Sequence, residues 1–163
     1  RTVRPYMSDD LIGVQLGGAI KNVIAIACGI VAGKGLGESA RAATLTRGLA
    51  EMARLSIALG GKRETLMGLS GIGDLVLTAS SMQSRNYSLG FALGQGRTVE
   101  EILGERKAVT EGVHTAKALT LMAAQNKIEM PVSTAVHRCV NEGLSIDNAI
   151  AELLDRPLKH EAL

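Results

Sequence analysis

The stretch Asp9–Ala32, DDLIGVQLGGAIKNVIAIACGIVA, decides how this chain is read. It is apolar almost throughout, and its two acidic residues come first, where the positive end of a helix dipole favours negative charge. Its length would allow a bilayer crossing. Lys21 and Asn22 would then sit at mid-bilayer, where a lysine costs roughly 2.5–3.5 kcal/mol on insertion scales, and no second apolar stretch of that length follows. A helix buried among other helices accounts for the run, with Gly13, Gly17 and Gly18 admitting a neighbouring backbone.

Working outward, Gly33, Gly35 and Gly37 end this helix, and Glu38 opens an amphipathic one that runs to Gly60 and Gly61. Leu45, Leu49, Met52 and Leu59 form its apolar stripe, and Arg47, Glu51 and Arg54 are read as its solvated face. From Glu64 to Gly96 periodicity is weakest and loops are expected. Thr98 and Glu101 then form a capping box, and Pro131 suits the first turn of a helix carrying Val132, Val136 and Val140. Ser145 caps a last helix carrying Ile146, Ile150 and Leu153 and stopped before Pro157. Thr2–Tyr6 has short β-like character ending at a proline. Strands do not alternate with helices, so an all-α fold is expected.

The composition narrows the function classes. A chain of 163 residues with 46% hydrophobic residues can bury one full core, and 18 Lys plus Arg against 16 Asp plus Glu imply no nucleic-acid partner. Aromatics are only 2% against 19 Gly, which suits helices packed at short backbone distances. Cys28 and Cys139 each lie in an apolar stretch and match no metal or disulfide pattern, so a reducing, cytoplasmic setting is expected. The chain begins with Arg, carries no signal-peptide pattern, and reads as a piece of something longer.

Of the motifs that carry chemistry, the glycine-rich ones fall short. Gly33, Gly35 and Gly37 follow a helix rather than a strand, and Gly71-x-Gly73 and Gly94-x-Gly96 lack a third glycine, so no dinucleotide fingerprint is present. No Walker A, GxSxG or HExxH sequence occurs, and His114, His137 and His160 have no partner at ligand spacing. Lys21 stands out. It is the only charge between Asp10 and Lys34, and its helical neighbours are Gly17, Gly18, Ile24 and Ala25. Such a lysine snorkels, pairs with a carboxylate, or is desolvated enough to trade a proton. Asp74, after Gly71-Ile72-Gly73, is either an N-cap or a site carboxylate. Ser84-Arg85-Asn86 offers a hydroxyl, a guanidinium, an amide and backbone N–H groups of the kind a phosphate needs, or else a helix cap beside a surface arginine.

Taken together and in order, GGAIKNVIAIACGIVAGKGLG (17–37), TRGLAEMARL (46–55), GLSGIGDLVLT (68–78), SRN (84–86) and VTEGVHTA (109–116) resemble the C-terminal substrate domain of bacterial NAD(P)-dependent glycerol-3-phosphate dehydrogenases. The resemblance runs from Asp9 to about Arg156. It implies an all-α, multi-helix domain of the 6-phosphogluconate dehydrogenase C-terminal-like type over residues 9–156, preceded by an N-terminal Rossmann domain that this chain lacks. Residues 1–8 would be a remnant of that domain or a linker, and 157–163 a tail.

The resemblance also implies roles. Lys21 would be the catalytic acid and base at the C2 oxygen of dihydroxyacetone phosphate or sn-glycerol 3-phosphate. Asn22, Asp74 and Thr78 would help hold that lysine and the substrate oxygens. Ser84, Arg85 and Asn86 would bind the phosphate end, and Arg85, Val109 and Glu111 would contact the NADP or NAD cofactor. Expected partners are the phosphorylated substrate, the chain's own N-terminal domain and a homodimer mate, with no nucleic acid and no membrane span. The product would feed glycerophospholipid synthesis. Two alternatives stay open: a related lysine-dependent hydroxyacid dehydrogenase, whose asparagine usually follows one turn after the lysine where this chain has Ala25, and a non-catalytic helical interaction domain.

Overall fold

The computed structural model describes residues 4–105 and 110–157. Its elements are α1 (Leu11–Gly33), α2 (Glu38–Ala58), α3 (Arg63–Leu66), a π-helical turn (Leu69–Gly73), α4 (Asp74–Thr78), α5 (Arg85–Gly94), α6 (Val99–Gly104), α7 (Glu111–Gln125), α8 (Pro131–Asn141) and α9 (Ile146–Leu154). No strand occurs among the described residues, as an all-α fold requires. The β-like segment expected at Thr2–Tyr6 does not form where it can be seen. Arg4–Tyr6 are irregular, and Thr2 and Val3 lie outside the described residues.

α1 is the axis of the fold, packed against α5, α2, α7, α4 and α8. Residues Asn22–Ile30 are buried without interruption, which is why this helix is apolar on every side rather than striped. By length and mean hydropathy, 1.7 over its most apolar window, it could cross a membrane, yet 61% of that window is buried within the protein. The helix starts two residues later than the acidic pair suggests, because Asp10 is its cap. Asp10 accepts hydrogen bonds from the N–H groups of Gly13 and Lys62, each at 2.8 Å, and so ties the segment after α2 to the start of α1.

The close backbone approach expected of this helix is made mainly at its other end. A Cβ on Gly33 would stand 2.1 Å from the Phe91 carbonyl oxygen, and one on Gly90 would stand 2.0 Å from that of Ile26. α1 and α5 therefore touch backbone to backbone. Gly17 does meet a neighbouring backbone, at the Ser70 carbonyl, whereas Gly13 meets the Asp10 carboxylate and Thr65, and Gly18 has nothing within reach.

Two further expectations are corrected. The stretch from Glu64 to Gly96 is mostly helical, built of α3, the π turn, α4 and α5, whose helices are too short for periodicity to show. Glu51, assigned to a solvated face of α2, is 1% exposed. Its carboxylate accepts from the N–H of Val132 at 2.6 Å and from the N–H and hydroxyl of Ser133 at 3.0 and 2.7 Å. Burial pushes this carboxyl above the ordinary range, against the pull of those three donors. Arg47 and Arg54 are exposed as expected. The Thr98–Glu101 capping box, Pro131 in the first turn of α8 and the Ser145 cap of α9 all form.

Candidate active site

The site lies where α1 passes α4 and the first turns of α5 and α7. Gly71 packs so closely on Leu66 that a Cβ there would stand 2.0 Å from the Leu66 carbonyl oxygen, and Gly17 is equally tight against Ser70. The Gly17 contact holds the π turn against α1 one helical turn before Lys21, the Gly71 contact holds it against α3, and α4 leaves the π turn with Asp74 as its first residue. Asp74 Oδ2 thereby pairs with Lys21 Nζ. Asp74 makes no cap hydrogen bond, so its side chain serves the lysine rather than the helix end. The Thr78 hydroxyl, one turn on, lies 2.7 Å from the Asp74 carbonyl oxygen and 3.3 Å from Asp74 Oδ1.

A second set of groups flanks this pair. Ser84 caps α5, its Oγ accepting from the Tyr87 N–H at 3.2 Å, so Arg85 and Asn86 occupy the first helical turn. Asn86 is buried and turned inward. Its Nδ2 donates to Asn22 Oδ1 at 3.0 Å, and its Oδ1 accepts from the Gly112 N–H at 2.9 Å. Asn22 Nδ2 in turn lies 3.3 Å from Glu111 Oε2 and 3.5 Å from the Gly18 carbonyl oxygen. Glu111 Oε1 is 3.7 Å from an Arg85 guanidinium nitrogen, and both of these side chains are more than half exposed.

Lys21, Asp74 and Thr78 thus form one group and Asn22, Asn86, Glu111 and Arg85 a second, the two joined where Lys21 and Asn22 adjoin on α1, with Ser84 capping the helix that carries Arg85. Val109 lies outside the described residues. Two lysine–carboxylate and arginine–carboxylate pairs make the cluster neutral, with an ammonium and a guanidinium offered from neighbouring helices. Gly112 is a member that residue chemistry did not single out. A Cβ on it would meet Asn86 Oδ1 at 2.7 Å and the Asn22 carbonyl oxygen at 2.8 Å, and its only signal in the sequence is its place after Thr110-Glu111.

The other titratable groups do not join the site. Burial pushes the Cys28 thiol up to about 12 and the Cys139 thiol up to about 11, so both stay protonated. His137 is engaged by Asn141 and Glu142, and no metal-holding group of His, Cys, Asp or Glu occurs among the described residues. A cleft of about 350 Å³ lies between α7, α8 and α9, lined by Ile128, Met130, Arg138 and Arg156 among others, and includes none of the cluster. Within the cluster Asn22 and Asn86 are buried, Lys21 and Asp74 part-exposed, and Arg85 and Glu111 more than half exposed.

Residues 10–151 match the family described as NAD-dependent glycerol-3-phosphate dehydrogenase C-terminus. The chain belongs to that family. Among its glycerol-3-phosphate dehydrogenase relatives, the NAD(P)+ enzyme of Rhodospirillum rubrum is 61% identical over 161 residues, covering 99% of this chain and 46% of the relative. That of Parvibaculum lavamentivorans is 58% identical over 160 residues, covering 98% of this chain and 48% of the relative. A crystal structure of the glycerol-3-phosphate dehydrogenase from Coxiella burnetii superposes with a TM-score of 0.92 at 47% identity, covering 96% of this chain and 48% of that one. The chain spans about half the length of the glycerol-3-phosphate dehydrogenases it matches.

Proposed function

We propose that this chain is the substrate-binding and proton-transferring domain of an enzyme that interconverts dihydroxyacetone phosphate and sn-glycerol 3-phosphate with NADH or NADPH. The observation that carries the proposal is the part-exposed Lys21–Asp74 ion pair, beside Asn22, whose amide leads to Glu111 and through it to Arg85. A carbonyl reduced at C2 needs a proton on its oxygen. Lys21 Nζ delivers that proton in the direction of reduction and takes it back in the direction of oxidation. Asp74 orients the ammonium, and Thr78 steadies Asp74. Because the Lys21 side chain is 20% exposed, solvent can replenish the proton.

Asn22 donates to a substrate oxygen by exchanging its 3.3 Å contact with Glu111 for the substrate. Arg85 and the first-turn N–H groups of α5 meet the phosphate, a dianion that a guanidinium binds with two parallel hydrogen bonds. The donor set also fits the edge of a nicotinamide nucleotide, since Arg85 and Glu111 are both more than half exposed. When bound, that cofactor exchanges the hydride with C2. The residues that would hold most of it belong to a Rossmann domain preceding residue 9, whose wall would close over these exposed groups. The boundaries 9–156 for the helical domain, a cytoplasmic setting and supply of glycerophospholipid synthesis complete the reading.

The test is nicotinamide oxidation by the full-length protein given dihydroxyacetone phosphate, beside its Lys21→Met variant and beside unphosphorylated hydroxyacids. Turnover with the phosphorylated substrate that vanishes in Lys21→Met is expected. Preference for an unphosphorylated acid would reassign the chain to the hydroxyacid dehydrogenases, and a folded, cofactor-loaded protein with no turnover on either would leave a helical interaction domain.

A further inference from the structure

Two contacts one helical turn apart join α1 to the segment that carries Asp74. At the first, the Ser70 carbonyl oxygen sits where a side chain on residue 17 would have to go: a Cβ on Gly17 would stand 2.3 Å from that oxygen and 3.5 Å from Leu66 Cδ2. At the second, Asp74 Oδ2 pairs with Lys21 Nζ. Gly17 and Lys21 are four residues apart on α1 and so share a face, and Ser70 and Asp74 are four residues apart across the contact. Between these two the backbone is closed on itself. The Gly73 N–H donates to the Gly68 carbonyl oxygen at 3.2 Å, and the Asp74 N–H to the Leu69 carbonyl oxygen, each five residues back. A displacement of Ser70 is therefore carried to Asp74 rather than absorbed on the way.

We propose that Gly17 is a positioning residue for the proton transfer: the missing side chain at this place on α1 lets the Ser70 carbonyl seat, and so sets the distance at which Asp74 meets Lys21. The inference rests on the function proposed above and deepens it. A methyl group at position 17 would have to gain about 1 Å before its contact with Ser70 reached an ordinary 3.4 Å. The obstructing oxygen is backbone, which cannot rotate out of the way as a side-chain end can. The π turn would have to rise off α1 by that amount and take Asp74 along. One ångström is the scale on which a misplaced group costs about 10²-fold in rate. Lys21 would keep its place on α1, and Arg85 would keep its place on α5, so chemistry should suffer and recognition of the phosphate should not. Gly18, the next residue, has no such role, since nothing stands within 4 Å of its Cβ position.

The test uses the full-length protein with dihydroxyacetone phosphate, reading kcat, KM and the unfolding midpoint of each variant. Gly17→Ala is expected to lower kcat by about 10²-fold with little change in KM. In an Asp74→Asn background the same substitution should cost nothing further, because the carboxylate it displaces is already gone. Asp74→Glu separates reach from folding. Its extra methylene, about 1.5 Å of chain, is too long for the wild-type spacing and should lower kcat there. Added to Gly17→Ala, it should recover most of the lost kcat while the unfolding midpoint stays where Gly17→Ala left it. Additive losses of Gly17→Ala and Asp74→Asn, or no recovery by Asp74→Glu in a folded Gly17→Ala protein, would overturn the proposal. If Gly17→Ala does not fold, Asp74→Glu in the otherwise wild-type chain decides alone: wild-type kcat would show that the spacing is not fixed and overturn the proposal, and a loss as large as that of Asp74→Asn would uphold it. Absence of turnover in the wild type, or full turnover in Lys21→Met, would instead overturn the function on which the inference rests.

Discussion

Lys21 and Asp74 are 53 positions apart in the chain and form one ion pair across α1 and α4, with side chains 20% and 33% exposed. A pair that open to water adds little to stability, typically under about 1 kcal/mol. Its value lies in geometry: the carboxylate keeps a flexible four-carbon stem from wandering and leaves the ammonium part-exposed, where a ligand can reach it.

Replacing Lys21 should therefore separate chemistry from folding. Lys21→Met in the full-length enzyme is expected to lower turnover by about 10²–10⁴-fold, the usual contribution of a positioned acid or base. The unfolding midpoint should change little. Stopped-flow turnover and a thermal melt on the same preparation measure both, and wild-type turnover in a folded Met variant would remove Lys21 from the reaction.

Arg85 should show the opposite kinetic signature. Its guanidinium reaches Glu111 at 3.7 Å, and its side chain is 54% exposed. Arg85→Ala is expected to raise KM for the phosphorylated substrate by about 10-fold to 100-fold, the worth of charge-assisted hydrogen bonds, with a smaller change in kcat. Arg85→Lys should recover only part of the loss, because a point charge cannot make the paired bonds of a guanidinium. Inorganic phosphate should inhibit the wild type more strongly than either variant.

The legible parts of this molecule are those whose signal is local. α1 is readable from its unbroken apolar run, α6 from Thr98 and Glu101, α8 from Pro131 and α9 from Ser145. Lys21 is readable as odd because no helical neighbour could serve it. What escapes is whatever depends on a partner distant in sequence. Glu51 looks solvated because Arg47 and Arg54 flank it on the same helix, yet its true partners are 81 and 82 residues away. A hint existed at the far end: Met130, the residue capping α8, has no side-chain group able to cap it, so the cap had to come from another element. Gly112 escapes for a similar reason. A glycine in a first helical turn is unremarkable until Asn22 and Asn86 are seen beneath it.

The α1–α5 contact carries a prediction about packing. Gly90 faces the Ile26 carbonyl at a distance that leaves no room for a methyl group, and α5 carries Arg85 and Asn86 at its other end. Gly90→Ala should destabilise the domain by about 1–3 kcal/mol, the range for an overpacked core. Chemical denaturation measures it. Gly18→Ala, on the same central helix but with open space at its Cβ position, is the control and should leave the midpoint nearly unchanged or raise it slightly.

Asp10 sets one limb of the pH dependence. Hydrogen bonds from Thr65, and then from the Gly13 and Lys62 amides, hold its carboxyl below the ordinary 3.8. A depressed acid stabilises the fold above its ordinary value and loses that contribution as pH falls through its lowered one. Wild type should be more stable than Asp10→Ala at neutral pH, and the gap should close below about pH 4. Urea midpoints at pH 7 and pH 3 test this, and a gap that persists undiminished at the lower pH would contradict it.

Glu51 sets the other limb with the opposite sign. Burial holds its carboxyl above the ordinary 4.5, so the protonated form is favoured in the folded state relative to the unfolded one. The stability this confers is full below the ordinary value and is lost as pH rises through the folded one. The wild-type advantage over Glu51→Gln, which has no proton to lose, should therefore shrink as pH rises from about 4 to 8. Glu51→Ala should cost about 3 kcal/mol more than Glu51→Gln at the acid end, because it strands the Val132 and Ser133 N–H groups and the Ser133 hydroxyl, and its cost should fall with rising pH in parallel with that of Gln, since alanine has no proton to lose either. Denaturation of the three proteins across this range distinguishes the terms. An advantage over Gln that grows with pH would mean that the three donors outweigh burial and that the α8 N-terminus holds a carboxylate.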